Sequence, residues 1–254
     1  MLLEDLDRYI RSQLRIDDLA GTDKSLNGLQ VGRRDKEIEH CAVAVDAALE
    51  TFRRSAESGA DMLFVHHGIF WGSEQPVTGM HYERIRFLIE NDIALYACHL
   101  PLDMHPEFGN NAEMAEYLGL QEIEPFGDYR GRFTIGFKGS LPEARRLDDV
   151  VRQLFGSPDE VLGILRFGSE QVRHIGIVSG GAPGAVHEAI EDGLDLYITG
   201  DASHTVYHPC MEAGMNMVFG GHYLTETWGV RGLARRLEQE HGIRTSFIDV
   251  PTGL

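Results

Sequence analysis

The chain has 254 residues, a length that predicts one large domain or two of modest size. Its composition, 43% hydrophobic and 25% charged, is that of a globular protein and excludes fibrous and disordered chains. The formal net charge is −17, from 23 Lys and Arg against 40 Asp and Glu, which disfavours non-specific binding to nucleic acid and to anionic membranes.

Apolar stretches of strand length alternate with stretches of helical period along the whole chain. This alternation predicts an α/β fold in which mixed sheets are covered by helices. The predicted helices lie at 3–14, 47–58, 82–90, 112–118, 147–155, 185–192 and 228–240. The predicted strands lie at 41–45, 62–65, 94–98, 134–137, 162–167, 175–178, 196–198 and 217–219.

The chain also contains an internal repeat. Two sets of residues align, each at one constant offset: His40, Gly59 and Asp61 with His174, Gly193 and Asp195, and then His99, Asp103 and Gly119 with His222, Glu226 and Gly242. The repeat predicts two related α/β halves, residues 1–128 and 129–254. The junction is placed near 127–132, where glycines interrupt the periodic pattern.

The first candidate site is the pair His66 and His67, which ends an apolar strand and precedes Gly68. Successive residues of a strand point to opposite faces, but at the carboxyl end of a strand both rings can reach the crevice where α/β proteins bind ligands. The alternative is one histidine facing the core and one facing solvent.

The second candidate site is His222 with Glu226, at the end of another strand. A separation of four residues places an imidazole and a carboxylate on one face of a helical turn, which suits metal binding. The alternative is a glutamate that stabilises a helix N-terminus. His99 and Asp103 repeat the same spacing at the equivalent strand end, which favours the metal interpretation.

Together, the candidate ligands comprise three imidazoles and two carboxylates: His66, His67, Asp103, His222 and Glu226. They exceed what one tetrahedral ion with an open position needs, so we expect two divalent ions, with Zn, Fe, Mn, Co and Ni all compatible with nitrogen and oxygen ligands. Such a site is locally positive and attracts a small anionic molecule despite the negative surface. The loop 180–184 suits either an anion cradle or a tight turn.

The three cysteines are widely spaced and predict free, buried thiols in a reducing compartment. The N-terminus lacks a basic signal region and no apolar run is long enough for a membrane span, so we expect a cytoplasmic protein without a membrane partner.

Five motifs carry a resemblance: NGLQV at 27–31, LFVHHG at 63–68, HLPLD at 99–103, YITGD at 197–201 and GHYLTE at 221–226. In their order and spacing they resemble the GTP cyclohydrolase 1 type 2 homologue family over the whole chain. The resemblance implies that His67 and Asp103 bind one ion, that His66 and His222 bind the other, and that Glu226 bridges them. It also implies a toroidal homohexamer. Asp201 stands where many relatives have Glu.

The predicted function is dinuclear metal-dependent hydrolysis of a small anionic or heterocyclic compound, nucleotide-like or pterin-like. We do not infer GTP as the substrate from the family name. His99 is predicted to relay protons beside the metals without binding them. The alternatives are a non-catalytic ring that stores, delivers or senses metal or scaffolds a partner protein, and a ring threaded by nucleic acid, which the net charge disfavours.

Overall fold

A computed structural model of the chain describes residues 1–254. The helices are α1 (Leu3–Leu14), α2 (Leu49–Glu57), α3 (Gly79–Glu90), α4 (Leu100–Asp103), α5 (Asn110–Leu118), α6 (Leu147–Phe155), α7 (Val186–Glu191), α8 (Tyr207–Ala213), α9 (His222–Thr225) and α10 (Thr227–His241). The strands are β1 (Gly28–Val31), β2 (His40–Asp46), β3 (Met62–His67), β4 (Ala94–Ala97), β5 (Gln121–Tyr129), β6 (Phe133–Arg146), β7 (Gly163–Arg166), β8 (Gln171–Val178), β9 (Leu196–Thr199), β10 (Asn216–Phe219) and β11 (Arg244–Phe247).

The chain divides into two compact units. The first contains residues 1–102 and 229–250, and the second contains 103–228 and 251–254. The first unit has a five-stranded sheet of order β1-β4-β3-β2-β11, in which β1 is antiparallel to β4 and the remaining pairs are parallel. The predicted mixed α/β architecture is therefore confirmed in this unit.

The second unit has a six-stranded sheet of order β5-β6-β8-β9-β10-β7. Strands β8, β9 and β10 are parallel, while β5, β6 and β7 each join the sheet in antiparallel pairing. The first sheet thus has four parallel strands and the second has three, and in each sheet an antiparallel strand follows them at one edge. No helix of the chain is long and apolar enough to cross a membrane.

Each unit has its own hydrophobic core. In the first, Leu63 and Val65 of β3 pack with Phe52 of α2, all completely buried. In the second, α6 buries Leu147, Val150, Val151, Leu154 and Phe155, a spacing that places one apolar stripe on the helix. This helix and α1 have the bounds that the helical period predicts.

The internal repeat has a structural counterpart at two aspartates. One carboxylate oxygen of Asp61 accepts hydrogen bonds from the backbone amides of Glu39 and His40, both at 2.9 Å. Asp195 accepts from the amides of Arg173 and His174 at 2.9 and 2.8 Å. The two aspartates therefore make equivalent contacts. Each directly precedes one parallel strand and accepts hydrogen bonds from residues in or next to the first part of the neighbouring strand.

The compact units differ from the predicted halves 1–128 and 129–254. Helix α5 and strand β5 follow β4 in sequence but pack in the second unit, where Met114, Ala115 and Leu118 join a hydrophobic core. Helix α10 and strand β11 follow β10 but pack in the first unit, where β11 pairs with β2. The glycine-rich junction near 127–132 is the turn of the β5–β6 hairpin, within the second unit.

Candidate metal centre

His66 and His67 end β3, the central strand of the first sheet. His66 is completely buried, and its Nδ1 donates to the carbonyl oxygen of Cys98 at 3.0 Å. His67 is partly exposed, and its Nδ1 lies 2.9 Å from Oδ1 of Asp46, the residue opposite it in the pairing of β2 with β3. The two ring centroids are 4.6 Å apart, so both imidazoles are available at one end of the sheet.

His99 follows β4, the next parallel strand of the same sheet. Its ring centroid lies 5.1 Å from that of His66 and 5.7 Å from that of His67. One ring nitrogen of each histidine lies within 4.8 Å of one ring nitrogen of the other two, a grouping that can hold a metal ion. His99, predicted as a proton relay, is thus placed beside two of the predicted ligands.

Asp103 belongs to the second unit and is almost completely buried. Its Oδ1 accepts hydrogen bonds from Nδ2 of Asn110 and Oγ of Ser179, both at 2.8 Å. These two donors fix the orientation of the carboxylate. One of its oxygens lies within 4.8 Å of an oxygen of Glu226, so the structure brings these two predicted ligands together.

His222 lies between two carboxylates in the second unit. Its Nδ1 is 2.8 Å from Oδ1 of Asp201 and its Nε2 is 3.2 Å from Oε1 of Glu226. The hydrogen bond to Glu226 is the largest influence and raises the pKa of His222 to about 9, with burial opposing it and Asp201 adding to it. A metal ion at Nε2 would therefore replace a proton.

Glu226 is also almost completely buried, at 3% exposure, and stands between α9 and α10. A carboxylate whose only task is to stabilise a helix N-terminus has no need of such burial, because charges are costly to bury without a partner. The burial therefore favours the ligand interpretation over the helix-dipole interpretation.

In the loop 180–184, two glycines lie where a larger residue would come too close to neighbouring side chains. A Cβ atom on Gly180 would collide with Oε1 of Glu226, and one on Gly181 would stand 2.8 Å from a carboxylate oxygen of Asp201. Gly180 also has φ +62°, a conformation that other residues rarely adopt. The loop backbone thus makes room for the predicted metal-binding side chains, while Gly184 contacts nothing comparable.

The hydrogen bonds behind the four histidine rings leave the other ring nitrogen of each suited to a divalent metal ion. The Nδ1 atoms of His66, His67, His99 and His222 each face a carbonyl or carboxylate oxygen. Because those oxygens accept, Nδ1 carries the proton and the neutral ring has its lone pair on Nε2. Metal-binding histidines are held in this way by partners behind the ring, which fix both tautomer and orientation.

The supporting residues Asp23, Asp46, Asn110 and Ser179 were not predicted from sequence. Asp46 directly follows the apolar residues of β2, just as His66 and His67 follow those of β3. Its position at a strand end could therefore have identified it as a candidate. Asp23 precedes β1 in an irregular segment, and Asn110 begins α5. Their partners depend on the tertiary fold, which local patterns do not reveal.

The sequence profile of the Duf34/NIF3 (NGG1p interacting factor 3) family matches residues 1–252. A relative from Deinococcus radiodurans, named GTP cyclohydrolase 1 type 2 homolog, is 45% identical over 251 residues, which are 99% of this chain and 94% of the relative. One of the same name from Halobacterium salinarum is 41% identical, with both chains completely covered. A crystal structure from Thermus thermophilus is similar with a TM-score of 0.90 and 39% identity, again over both complete chains.

Proposed function

Because the chain belongs to the Duf34/NIF3 family, as its motifs predict, we propose that it is a dinuclear metal-dependent hydrolase of a small anionic or heterocyclic compound. As the family resemblance implies, His67 and Asp103 would hold one ion, His66 and His222 would hold the other, and Glu226 would be shared between them. The observation that carries this proposal is the set of imidazoles fixed through Nδ1, each of which presents Nε2 as a ligand atom.

Bound divalent ions supply a Lewis acid and lower the pKa of water to about 7. The chain's own residues orient the ligands and move protons. Asp46 and Asp201 fix the rings of His67 and His222. His99 relays protons, because its Nδ1 is bonded to Asp23 and Nε2 is left to exchange them. The ligand atoms, all nitrogen and oxygen, suit Zn, Fe, Mn, Co or Ni.

The proposal is tested on protein purified without chelator. Elemental analysis should find two divalent ions per chain. Glu226→Gln should lose at least one of them, whereas the exposed control Glu212→Gln should keep both. Hydrolysis is measured by chromatography with GTP and with a reduced pterin as probes, and should disappear when the metal is removed and return when it is restored.

Two results contradict separate parts of the proposal. If Glu226→Gln keeps both ions at parental affinity, Glu226 is not the bridge. If the protein holds both ions and hydrolyses neither probe nor related nucleotides, the alternative of a ring that stores, delivers or senses metal is favoured.

We also propose that the chain assembles as a homohexameric ring, on the basis of the family resemblance. Light scattering that finds a stable monomer across micromolar concentrations contradicts it.

A further inference from the structure

Asp23 is a buried carboxylate that no predicted role includes. Its side chain is 2% exposed and lies in the first unit. Oδ1 accepts from the backbone amide of Ser25 at 3.0 Å and from Nδ1 of His99 at 2.9 Å. Oδ2 accepts from Nδ2 of Asn27 at 2.8 Å and from the backbone amide of Leu100 at 3.1 Å. Three neutral donors and one imidazole therefore surround this carboxylate.

The carboxylate is ionised at neutral pH. Burial by itself would raise the pKa of Asp23, but the hydrogen bonds from His99, Asn27 and Ser25 hold it below its ordinary value. A buried charge is costly unless a partner compensates it. Among the groups bonded to Asp23, His99 is the one that can become positively charged.

His99 is held on three sides. Besides the bond from its Nδ1 to Asp23, its backbone amide donates to Oδ1 of Asn27 at 2.8 Å. The ring of Trp71 packs against it edge to face, with centroids 5.0 Å apart and planes at 75°. Trp71 is itself fixed by a bond from Nε1 to the carbonyl oxygen of Gly68 at 2.9 Å. The imidazole therefore has one orientation and one tautomer, with the lone pair on Nε2.

We propose that Asp23 is a positioning residue that keeps His99 as a general base beside His66 and His67. This inference rests on the proposed hydrolysis. A water molecule gives a proton to Nε2 of His99, and the remaining hydroxide forms the new bond to the electrophilic atom of the substrate. The bond to the leaving group breaks, and the leaving group takes the proton from Nε2. The carboxylate of Asp23 compensates the charge of the imidazolium between these steps.

The tautomer of His99 tests the positioning role without any metal or substrate. Nitrogen NMR on the metal-free, ¹⁵N-labelled chain distinguishes a protonated from an unprotonated ring nitrogen, and His99→Gln identifies the signal. We expect Nδ1 protonated and Nε2 unprotonated in the neutral ring. In Asp23→Asn the two tautomers should mix. Asp46→Asn, the same change behind His67, is the matched control and should leave the His99 signal as it is.

Two NMR results overturn the proposal: the opposite tautomer in the parent chain, or an unchanged signal in Asp23→Asn. If Asp23→Asn fails to fold, the measurement on the parent chain alone still decides, because the proposal requires one specific tautomer there.

The metal-loaded protein gives a second, independent measurement. Asp23→Asn should keep the parental metal content and lose about 10²-fold or more in the rate of hydrolysis, the scale of general base catalysis. Loss of metal instead of rate contradicts the proposal, because it would make His99 a ligand. Absence of hydrolysis in the parent chain contradicts the proposed function, whereas the tautomer result separately decides whether Asp23 positions His99.

Discussion

The two halves of the chain share a backbone framework and differ in the side chains at its strand ends. Asp61 and Asp195 make the same pair of backbone contacts. Where the first half has His66 and His67, the second has Gly200 and Asp201 at the aligned positions. The repeated framework thus supplies equivalent positions at strand ends, while the side chains at those positions have diverged.

The two histidines that do align show the same divergence. His99 and His222 are each bonded through Nδ1 to an aspartate. For His99 that aspartate is Asp23, which is almost completely buried, and for His222 it is Asp201, whose side chain is 45% exposed. His222 also has Glu226 at its second nitrogen. In the proposed function, the first ring transfers protons and the second binds a metal ion.

The largest effect should come from the glycine loop of the second half, residues 180–184, where Gly180 lies against Glu226. Gly180→Ala places a methyl group against Glu226 and forces a left-handed conformation on alanine. We expect the affinity for metal to fall by more than about 100-fold, because a displaced ligand costs more than a lost supporting contact. Gly184→Ala, in the same loop, should keep parental affinity in isothermal titration with zinc. Equal affinities for the two variants contradict the assigned role of the loop.

The supporting carboxylates should rank next. Asp46→Asn and Asp201→Asn each remove the charge behind one proposed ligand, His67 or His222, and should weaken metal binding by about 10 to 100-fold. Elemental analysis after dialysis against a competing chelator measures both. If Asp201→Asn is neutral while Asp46→Asn is not, the partly exposed carboxylate of the second half does not support a ligand.

The repeated framework should respond equally in both halves. Asp61→Ala and Asp195→Ala each leave two backbone amides without a charged acceptor, and bonds to charged groups contribute about 1.5 to 3 kcal/mol each. We expect both variants to lower the midpoint of urea unfolding by a similar amount. A large loss for one variant and none for the other contradicts their structural equivalence.

The sequence predicts the fold well where the period is strong and the burial is one-sided. Leu3–Leu14 and Leu147–Phe155 have the predicted bounds, since each buries one apolar stripe. Strand β11 was not predicted, because its four residues carry little apolar pattern and are stabilised by pairing with β2. The packing of α10 in the first unit could not be predicted either, because the internal repeat aligns residues and does not specify the unit in which an element packs.

The candidate site was predictable to the extent that its residues end strands. His66, His67, His99 and His222 follow apolar runs that are easily recognised. Asp23 is different, since two of its four partners, His99 and Leu100, are 76 and 77 positions away along the chain. Contacts over such a separation depend on the pairing of β1 with β4, which local sequence does not specify. Supporting residues are therefore harder to predict than the ligands they orient.

The smallest effect, and the one that compares His222 with Asp23 most directly, is the pH dependence of stability in the metal-free protein. The folded-state pKa of His222, about 9, lies above the ordinary value of 6.5, so its contribution is fully present below about pH 6.5 and is lost as the pH rises to about 9. The folded-state pKa of Asp23 lies below the ordinary 3.8, so its contribution is present above that value and is lost as the pH falls further. The stability of the two halves should thus fall at opposite ends of the pH range.

Midpoints of urea unfolding, measured across the pH range, test this. The midpoint of His222→Gln should fall less than that of the parent chain on the alkaline side only. The midpoint of Asp23→Asn should fall less on the acid side only. An alkaline decline that His222→Gln leaves intact would show that Glu226 and Asp201 do not stabilise the protonated ring, and that the two aligned histidines differ less than their surroundings indicate.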